Sequence, residues 1–193
     1  TPGVEARTIK QISGQAHFNE VFFSDVRIPD ANRIGEVDDG WRVAMTVLGN
    51  ERLAVSSSGL SSRTGANFET LFDICREMEG SDGPLIKDEA VRDQLADWYC
   101  INAGINYTNA RTTSALSRGG TPGPEASIAK LAQGAVTQDM ASYAIDLQGL
   151  FGALIDPKVA QVSAAFQQSM LYAPAGRIAG GTDEIMRNII AEH

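Results

Sequence analysis

The chain has 193 residues, of which 43% are hydrophobic and 21% charged, and this composition is typical of a folded domain rather than a disordered segment. Its formal net charge of -8 argues against a nucleic acid or an anionic membrane surface as the main partner. The sequence has no apolar stretch near the roughly 20 residues that span a bilayer, so it predicts no membrane span. It has only two cysteines and two histidines, which predicts a cytoplasmic protein with no metal site.

The first 39 residues have a β-type pattern. The opening ten residues alternate as a strand does, and the segment FNEVFFSDVRIP (18–29) is rich in Val, Ile and Phe and ends at Pro29. Asp-Asp-Gly within IGEVDDGW (34–41) then predicts a turn before a helix. Because the chain begins in a strand without a methionine or a leader, we expect it to be part of a longer protein.

From residue 40 onward, apolar residues recur every three or four positions, which predicts helices. The first helix begins near Trp41, and its apolar stripe (Trp41, Ala44, Met45, Leu48) continues to Phe68, Leu71, Phe72 and Ile74, so one helix running well past Ser62 is expected. Further helices are predicted from Asp88 to about Ser117, from Glu125 to about Leu147, within 157–171 and from Thr182. The predicted fold class is therefore mainly α, an antiparallel helical bundle over 40–193 preceded by a short β segment over 1–39.

GNERLAV (49–55) contains the first candidate for chemistry, since Glu51 lies within an apolar helix next to Arg52. One interpretation is a surface glutamate with a nearby arginine. The other is a carboxylate that projects into a ligand cavity and acts as a base. Neighbouring helical residues point about 100° apart, so the pattern alone does not pair the two side chains.

QGLFG (148–152) is the second candidate, and it follows the third predicted helix. Glycine after a helix is typical of a left-handed cap and a turn. In addition, the Gln148 amide or the exposed backbone could meet a polar ligand.

GGTDEI (180–185) is the third candidate. Thr182 is a suitable N-cap, and Asp183 and Glu184 lie near the positive end of the helix dipole. This segment has three interpretations. It is a phosphate cradle, a plain helix start, or a turn from which a catalytic side chain is missing at Gly180. The two acids would repel a bare phosphate, which favours the polar edge of a nucleotide over a tight phosphate site.

Four segments together carry a resemblance to a known family. FNEVFFSDVRIP, GWRVAMTVLGNERLAV, GPEASIAKL (123–131) and GGTDEIMRNIIAEH (180–193) follow one another across nearly the whole chain. In this order they resemble the C-terminal half of an acyl-CoA dehydrogenase. The resemblance implies that residues 1–39 end the middle β-domain and that residues 40–193 form the C-terminal α-helical bundle domain.

The resemblance also implies an activity and a base. These flavoenzymes remove the α proton of an acyl-CoA thioester with a carboxylate, while the β hydrogen passes to FAD. Many members carry the base just before the final Gly-Thr, where this chain has Gly180. A smaller branch, similar to isovaleryl- and long-chain acyl-CoA dehydrogenases, carries it on the first bundle helix before an arginine. This branch implies Glu51 as the base, with Arg52 orienting or electrostatically supporting it.

For FAD, the resemblance implies contacts at two segments, often across a subunit interface. They involve Gln148, Gly149, Gly152, Gly181, Thr182 and Glu184. The partners it implies are an acyl-CoA substrate, an electron-transfer flavoprotein as acceptor, and further subunits in a homo- or hetero-oligomer.

One family segment is absent, and its absence motivates the alternatives. Where the family has Arg-x-x-Phe-Gly-x-Pro-Ile, this chain has REMEGSDGPLIKDEAVRDQLA (76–96). Some actinobacterial relatives that act on steroid side chains assemble from two different chains with unequal shares of the FAD and base residues. The alternative is thus a non-catalytic or half-site partner subunit that serves assembly. A generic acidic helical interaction domain is a third hypothesis, which leaves the ordered motifs as coincidence.

Overall fold

The computed structural model describes residues 1–58, 65–120 and 123–192. Contacts divide the chain into two compact units, Thr1–Asn50 and Glu51–His193. The described residues contain four strands: β1 Val4–Ile9, β2 Phe18–Phe23, β3 Glu79–Gly80 and β4 Gly83–Pro84. They also contain six α-helices: α1 Gly40–Ser58, α2 Phe68–Glu77, α3 Glu89–Ser117, α4 Glu125–Leu147, α5 Ala165–Ile178 and α6 Asp183–Ala191. None of the described helices is long and apolar enough to cross a bilayer.

In the first unit, β1 and β2 form an antiparallel pair whose register runs from Val4 opposite Phe23 to Ile9 opposite Phe18. The strand expected to reach Pro29 ends at Phe23, so this prediction was too long. The reason is local, because Asp25 adopts a left-handed conformation (φ 48°), which takes the chain out of the strand.

The apolar stripe predicted on the first helix is exposed. Trp41, Met45 and Leu48 are 76%, 49% and 45% exposed. Because this unit contains only one strand pair and the start of α1, it has too little surface to cover these side chains.

The expected single helix past Ser62 was wrong in the part that the structure describes. Gly65 has φ +73°, and Asn67 is extended, so neither residue continues a helix. The side chain of Asn67 accepts a hydrogen bond from the Thr70 backbone N–H at 2.8 Å and caps a new helix, α2. Residues 59–64 lie outside the described ranges.

The second unit is a helical bundle centred on α4, which packs against α3, α5 and α6. Buried small residues on α4 allow this close packing, and a Cβ at Gly134 would lie 3.2 Å from Cγ of Arg177 on α5. The predicted mainly α fold class is confirmed. The core is formed by Leu71, Ile74, Cys75, Val91, Leu95, Trp98, Val136, Met140, Ala141, Ala144, Ala165 and Phe166, among others.

The boundaries of α3 and α4 agree with the prediction, and Asp88 caps α3 by accepting from the Ala90 N–H at 2.8 Å. The helix expected within 157–171 instead begins at Ala165 and ends at Ile178. It begins late because Val162, Ser163 and Ala164 form a left-handed turn, with φ of 47°, 53° and 61°.

Candidate functional site

The predicted base lies on α1. The Glu51 side chain is exposed. The Arg52 side chain lies outside the part that the structure describes, so its role in orienting or electrostatically supporting Glu51 stays a prediction.

The turn that follows α4 contains the first group of predicted cofactor residues. The backbone N–H of Gln148 donates to the carbonyls of Ala144 and Ile145, and residues Gly149–Ala153 then form a 3-10 turn. Gly149 has φ +55°, a conformation that glycine adopts without strain. A Cβ at Gly152 would lie 2.3 Å from the Ile145 carbonyl oxygen, so only glycine allows the turn to fold back on the helix end.

The side chain of Gln148 is directed into the protein and is 3% exposed. Its Oε1 accepts a hydrogen bond of 2.9 Å from Nε2 of Gln167 on α5, and the same Nε2 donates to the Gly152 carbonyl at 3.2 Å. Among the described residues, the buried Nε2 of Gln148 and Oε1 of Gln167 have no hydrogen-bond partner. This amide pair therefore retains one donor group and one acceptor that a polar ligand could satisfy.

The turn before α6 contains the second group. Gly180 and Gly181 have φ of 72° and 110°, and a Cβ at Gly181 would lie 2.6 Å from the methyl carbon of Met186. The Thr182 hydroxyl accepts a hydrogen bond from the Ile185 N–H at 3.4 Å, which caps α6 as predicted. This cap agrees with the interpretation of the segment as a helix start, and the other two interpretations stay predictions.

Glu184 projects from this helix start, and its side chain is 77% exposed. Its pKa is lowered, first by a hydrogen bond from its own backbone N–H and then by one from the Thr182 hydroxyl. The group is therefore an ionised, accessible acceptor at neutral pH.

Three polar residues at this second turn were not among the predicted site residues. Lys130 on α4 is buried, and its Nζ donates to the Gly181 carbonyl. Asp183 is also buried and pairs with Arg177, whose Nε lies 2.8 Å from Oδ2 of the carboxylate. The hydrogen bond and the negative charge of Asp183 raise the pKa of Arg177 above its ordinary value. The signals for these contacts were a lysine within the apolar run of α4 and the acid Asp183 at the start of α6.

The two turns lie toward opposite ends of α4. Lys130, near the helix start, holds the turn at Gly181, whereas Gln148 follows the helix end. Since the helix rises about 1.5 Å per residue, the eighteen positions between them correspond to about 27 Å. One chain therefore presents two separate groups of predicted cofactor residues.

A family model for the acyl-CoA dehydrogenase C-terminal domain matches residues 38–193. The chain is 34% identical over 191 residues to the acyl-CoA dehydrogenase IpdE1 of Mycolicibacterium smegmatis, an alignment that covers 99% of the chain and 45% of that relative. It thus spans less than half the length of this relative. A crystal structure of acyl-CoA dehydrogenase from Geobacillus kaustophilus has a TM-score of 0.86 at 23% identity, over 100% of this chain and 49% of that one. The ChsE4-ChsE5 complex from Mycobacterium tuberculosis has a TM-score of 0.79 at 23% identity, over 98% and 48%.

Because the family model matches most of its residues, the chain belongs to the acyl-CoA dehydrogenase family and contains the C-terminal helical domain.

Proposed function

We propose that this chain is the C-terminal part of an FAD-dependent acyl-CoA dehydrogenase that desaturates the α,β bond of an acyl-CoA thioester. The observation that carries the proposal is the combination of a left-handed glycine at position 180 with an accessible carboxylate at Glu51. One position that holds the base in relatives has no side chain, and the other has a glutamate. Residues 1–39 would end the middle β-domain and residues 40–193 would form the bundle domain.

Glu51 acts as the base that removes the α proton of the thioester, and Arg52 orients this carboxylate or supports its charge. The α proton is weakly acidic, so the base works best in a site from which substrate binding excludes water. When bound, FAD accepts the two electrons that the acyl group loses.

The residues at the two turns fit a flavin nucleotide. Gly149 leaves its backbone open, because a Cβ there would meet nothing within 4 Å, and Glu184 offers an ionised acceptor. Gln148 has a buried donor group without a partner among the described residues, which suits a polar cofactor atom. Gly152, Gly181 and Thr182 shape the backbone around these groups.

The separation of the two turns supports an oligomer. Groups about 27 Å apart along one helix meet either distant parts of one FAD or the FAD of two subunits. We therefore propose a homo- or hetero-oligomer. The family resemblance further supports the proposal of an electron-transfer flavoprotein as electron acceptor, and we propose a cytoplasmic location from the composition.

A second candidate function is a half-site or assembly subunit of a hetero-oligomeric dehydrogenase. It is favoured by β3 and β4, which pair Glu79 with Pro84 and Gly80 with Gly83 where relatives have Arg-x-x-Phe-Gly. Glu79 and Gly80 of this hairpin are exposed. The solved ChsE4-ChsE5 relative is a complex of two different chains, as its name states.

The decisive experiment measures dye-linked acyl-CoA oxidation and bound flavin in the full-length protein with any co-purifying chain. Glu51→Gln should lower the turnover by about 10²–10⁴-fold with flavin content unchanged, since it removes only the base. Glu77→Gln, an exposed glutamate on α2, is the matched control and should have no effect.

A further variant separates the two candidate functions. Adding Gly180→Glu to Glu51→Gln returns a carboxylate to the other family position, and part of the activity should return. Near-normal activity in Glu51→Gln would remove Glu51 from the mechanism. If the base comes from a partner chain, neither substitution will change turnover, and the half-site function will be the better account.

A further inference from the structure

Helix α5 carries a buried glutamine that belongs to none of the sequence motifs. Gln167 is 4% exposed and lies 19 positions after Gln148. Its Nε2 forms two hydrogen bonds, one to the side-chain oxygen of Gln148 and one to the backbone oxygen of Gly152. One amide thereby connects the two ends of the turn after α4 to a neighbouring helix.

The turn combines flexible residues with exposed ones. Gly149 and Gly152 lose more conformational freedom on folding than other residues do. Leu150 and Phe151 between them are 94% and 62% exposed. Its backbone includes two local hydrogen bonds, from Phe151 N–H to the Gln148 carbonyl at 3.1 Å and from Leu154 N–H to the Phe151 carbonyl at 3.0 Å. Gln167 thus supplies the side-chain attachment of this turn to α5.

Gln167 also determines which way the Gln148 amide faces. The Gly152 carbonyl can only accept, so Gln167 must present its Nε2 there. The same Nε2 then requires the oxygen of Gln148 opposite it. As a result, the Nε2 of Gln148 is directed away from Gln167, as a buried donor with no partner in the described ranges.

We infer that Gln167 is a positioning residue for FAD, which holds the Gln148 amide and the Gly149–Gly152 backbone in the conformation that binds the cofactor. The inference rests on the proposed function. If only a fraction of the molecules has the turn in the conformation that binds FAD, the apparent affinity equals the intrinsic affinity multiplied by that fraction. Gln167 keeps the fraction of molecules with the binding conformation of the turn high, and it takes no part in the reaction itself.

The test measures the dissociation constant of FAD for the apo form of the full-length protein by flavin fluorescence. Gln167→Leu removes both hydrogen bonds and leaves two buried oxygens without donors, so the dissociation constant should rise about tenfold or more. Far-UV circular dichroism monitors the helices in parallel. Gln168→Leu, the next and less buried residue on α5, should change the constant less than about twofold, because the two hydrogen bonds that hold the turn come from Gln167.

Gln167→Glu gives a readout that a loss of packing would not produce. The shape is kept, but a carboxylate faces the Gly152 carbonyl and repels it. A protonated carboxyl can donate again, so FAD affinity in this variant should improve as pH falls from 8 to 6. The natural protein and Gln167→Leu should lack this improvement. This pH series also decides the matter if Gln167→Leu does not fold.

Unchanged FAD affinity in the Gln167 variants, or an affinity in Gln167→Glu that does not depend on pH, would overturn the inference. Failure of the proposed function looks different, because the natural protein with its partner chains would then not bind FAD at all.

Discussion

The ion pair between Arg177 and Asp183 is expected to respond asymmetrically to substitution. The Asp183 side chain is 8% exposed, whereas that of Arg177 is 40% exposed. Arg177→Met leaves a buried carboxylate without its partner, and breaking a buried pair in this way typically costs about 3–5 kcal/mol. Two effects place the expected loss at about 3 kcal/mol: solvent screens the half-exposed guanidinium, and the positive end of α6 stabilises a carboxylate at its first residue.

Asp183→Asn should cost less. An asparagine keeps an oxygen that can accept from Arg177, and the guanidinium can turn toward water, so we expect a loss of about 1 kcal/mol. The guanidinium also retains its 3.0 Å hydrogen bond to Oε1 of Gln138. Because Arg177→Met loses that bond as well, the coupling energy from the double variant separates the contribution of the ion pair from that of the bond to Gln138.

Equilibrium urea unfolding followed by circular dichroism measures these losses. With a slope of about 2 kcal/mol per molar urea, Arg177→Met should shift the midpoint down by about 1.5 M and Asp183→Asn by about 0.5 M. Arg187→Met is the control on the same helix, because Arg187 and Glu184 are 61% and 77% exposed and 3.9 Å apart. Its effect should stay within about 0.5 kcal/mol. Equal losses for the two partners, or a coupling energy below about 0.5 kcal/mol in the double variant, would refute the reasoning.

Two further predictions concern a close contact and a thiol. Gly152→Ala should destabilise the protein by about 1–3 kcal/mol in the same urea assay, because its Cβ would lie 2.3 Å from the Ile145 carbonyl oxygen. Gly104→Ala on α3, whose Cβ would meet nothing within 4 Å, should instead stabilise it by about 0.5–1 kcal/mol, and the opposite order would contradict the contact. Burial raises the pKa of Cys75 from 9.0 to about 11, so iodoacetamide at pH 8 should label exposed Cys100 and spare Cys75 until urea unfolds the chain. Since the folded-state pKa is the higher one, the neutral thiol contributes stability below pH 9 that is lost as the pH rises toward 11. Labelling of native Cys75 at the rate of Cys100 would show that this thiol is not buried.

The sequence predicted the long helices well because their apolar period extends over many turns. The bounds of α3 and α4 followed from that period and from the Gly- and Pro-rich breaks beside them. The break before α2 was missed because Phe68–Ile74 continue the period of the preceding helix. Gly65 and Asn67 were the available signal, as a glycine that can leave the helical conformation and a capping asparagine.

The end of α5 could not be predicted from local sequence preference. Pro174 favours a helix end before it, yet α5 includes this proline and continues to Ile178. Packing of α5 on α4 overrides the local preference.

At the candidate site, too, the features set by neighbouring residues were predictable and the contacts between distant residues were not. The turns at Gly149 and Gly181 were predictable because glycine and N-cap patterns are local. The side chains that hold them were not, since Gln167 lies 19 positions from Gln148 and Lys130 lies 51 positions from Gly181. A lone glutamine on an apolar helix does not reveal which carbonyl it will reach.

The two glycines before α6 agree with a base located elsewhere. A side chain at Gly181 would have to displace the terminal methyl of Met186. At both glycines a side chain would also adopt a positive φ, which costs about 1 kcal/mol for residues other than glycine. If Glu51 supplies the base, the turn is free to use glycine and serves only to present backbone and the start of α6. Conversely, the Gly180→Glu variant must regain activity against this backbone strain, so any recovery it shows will be partial.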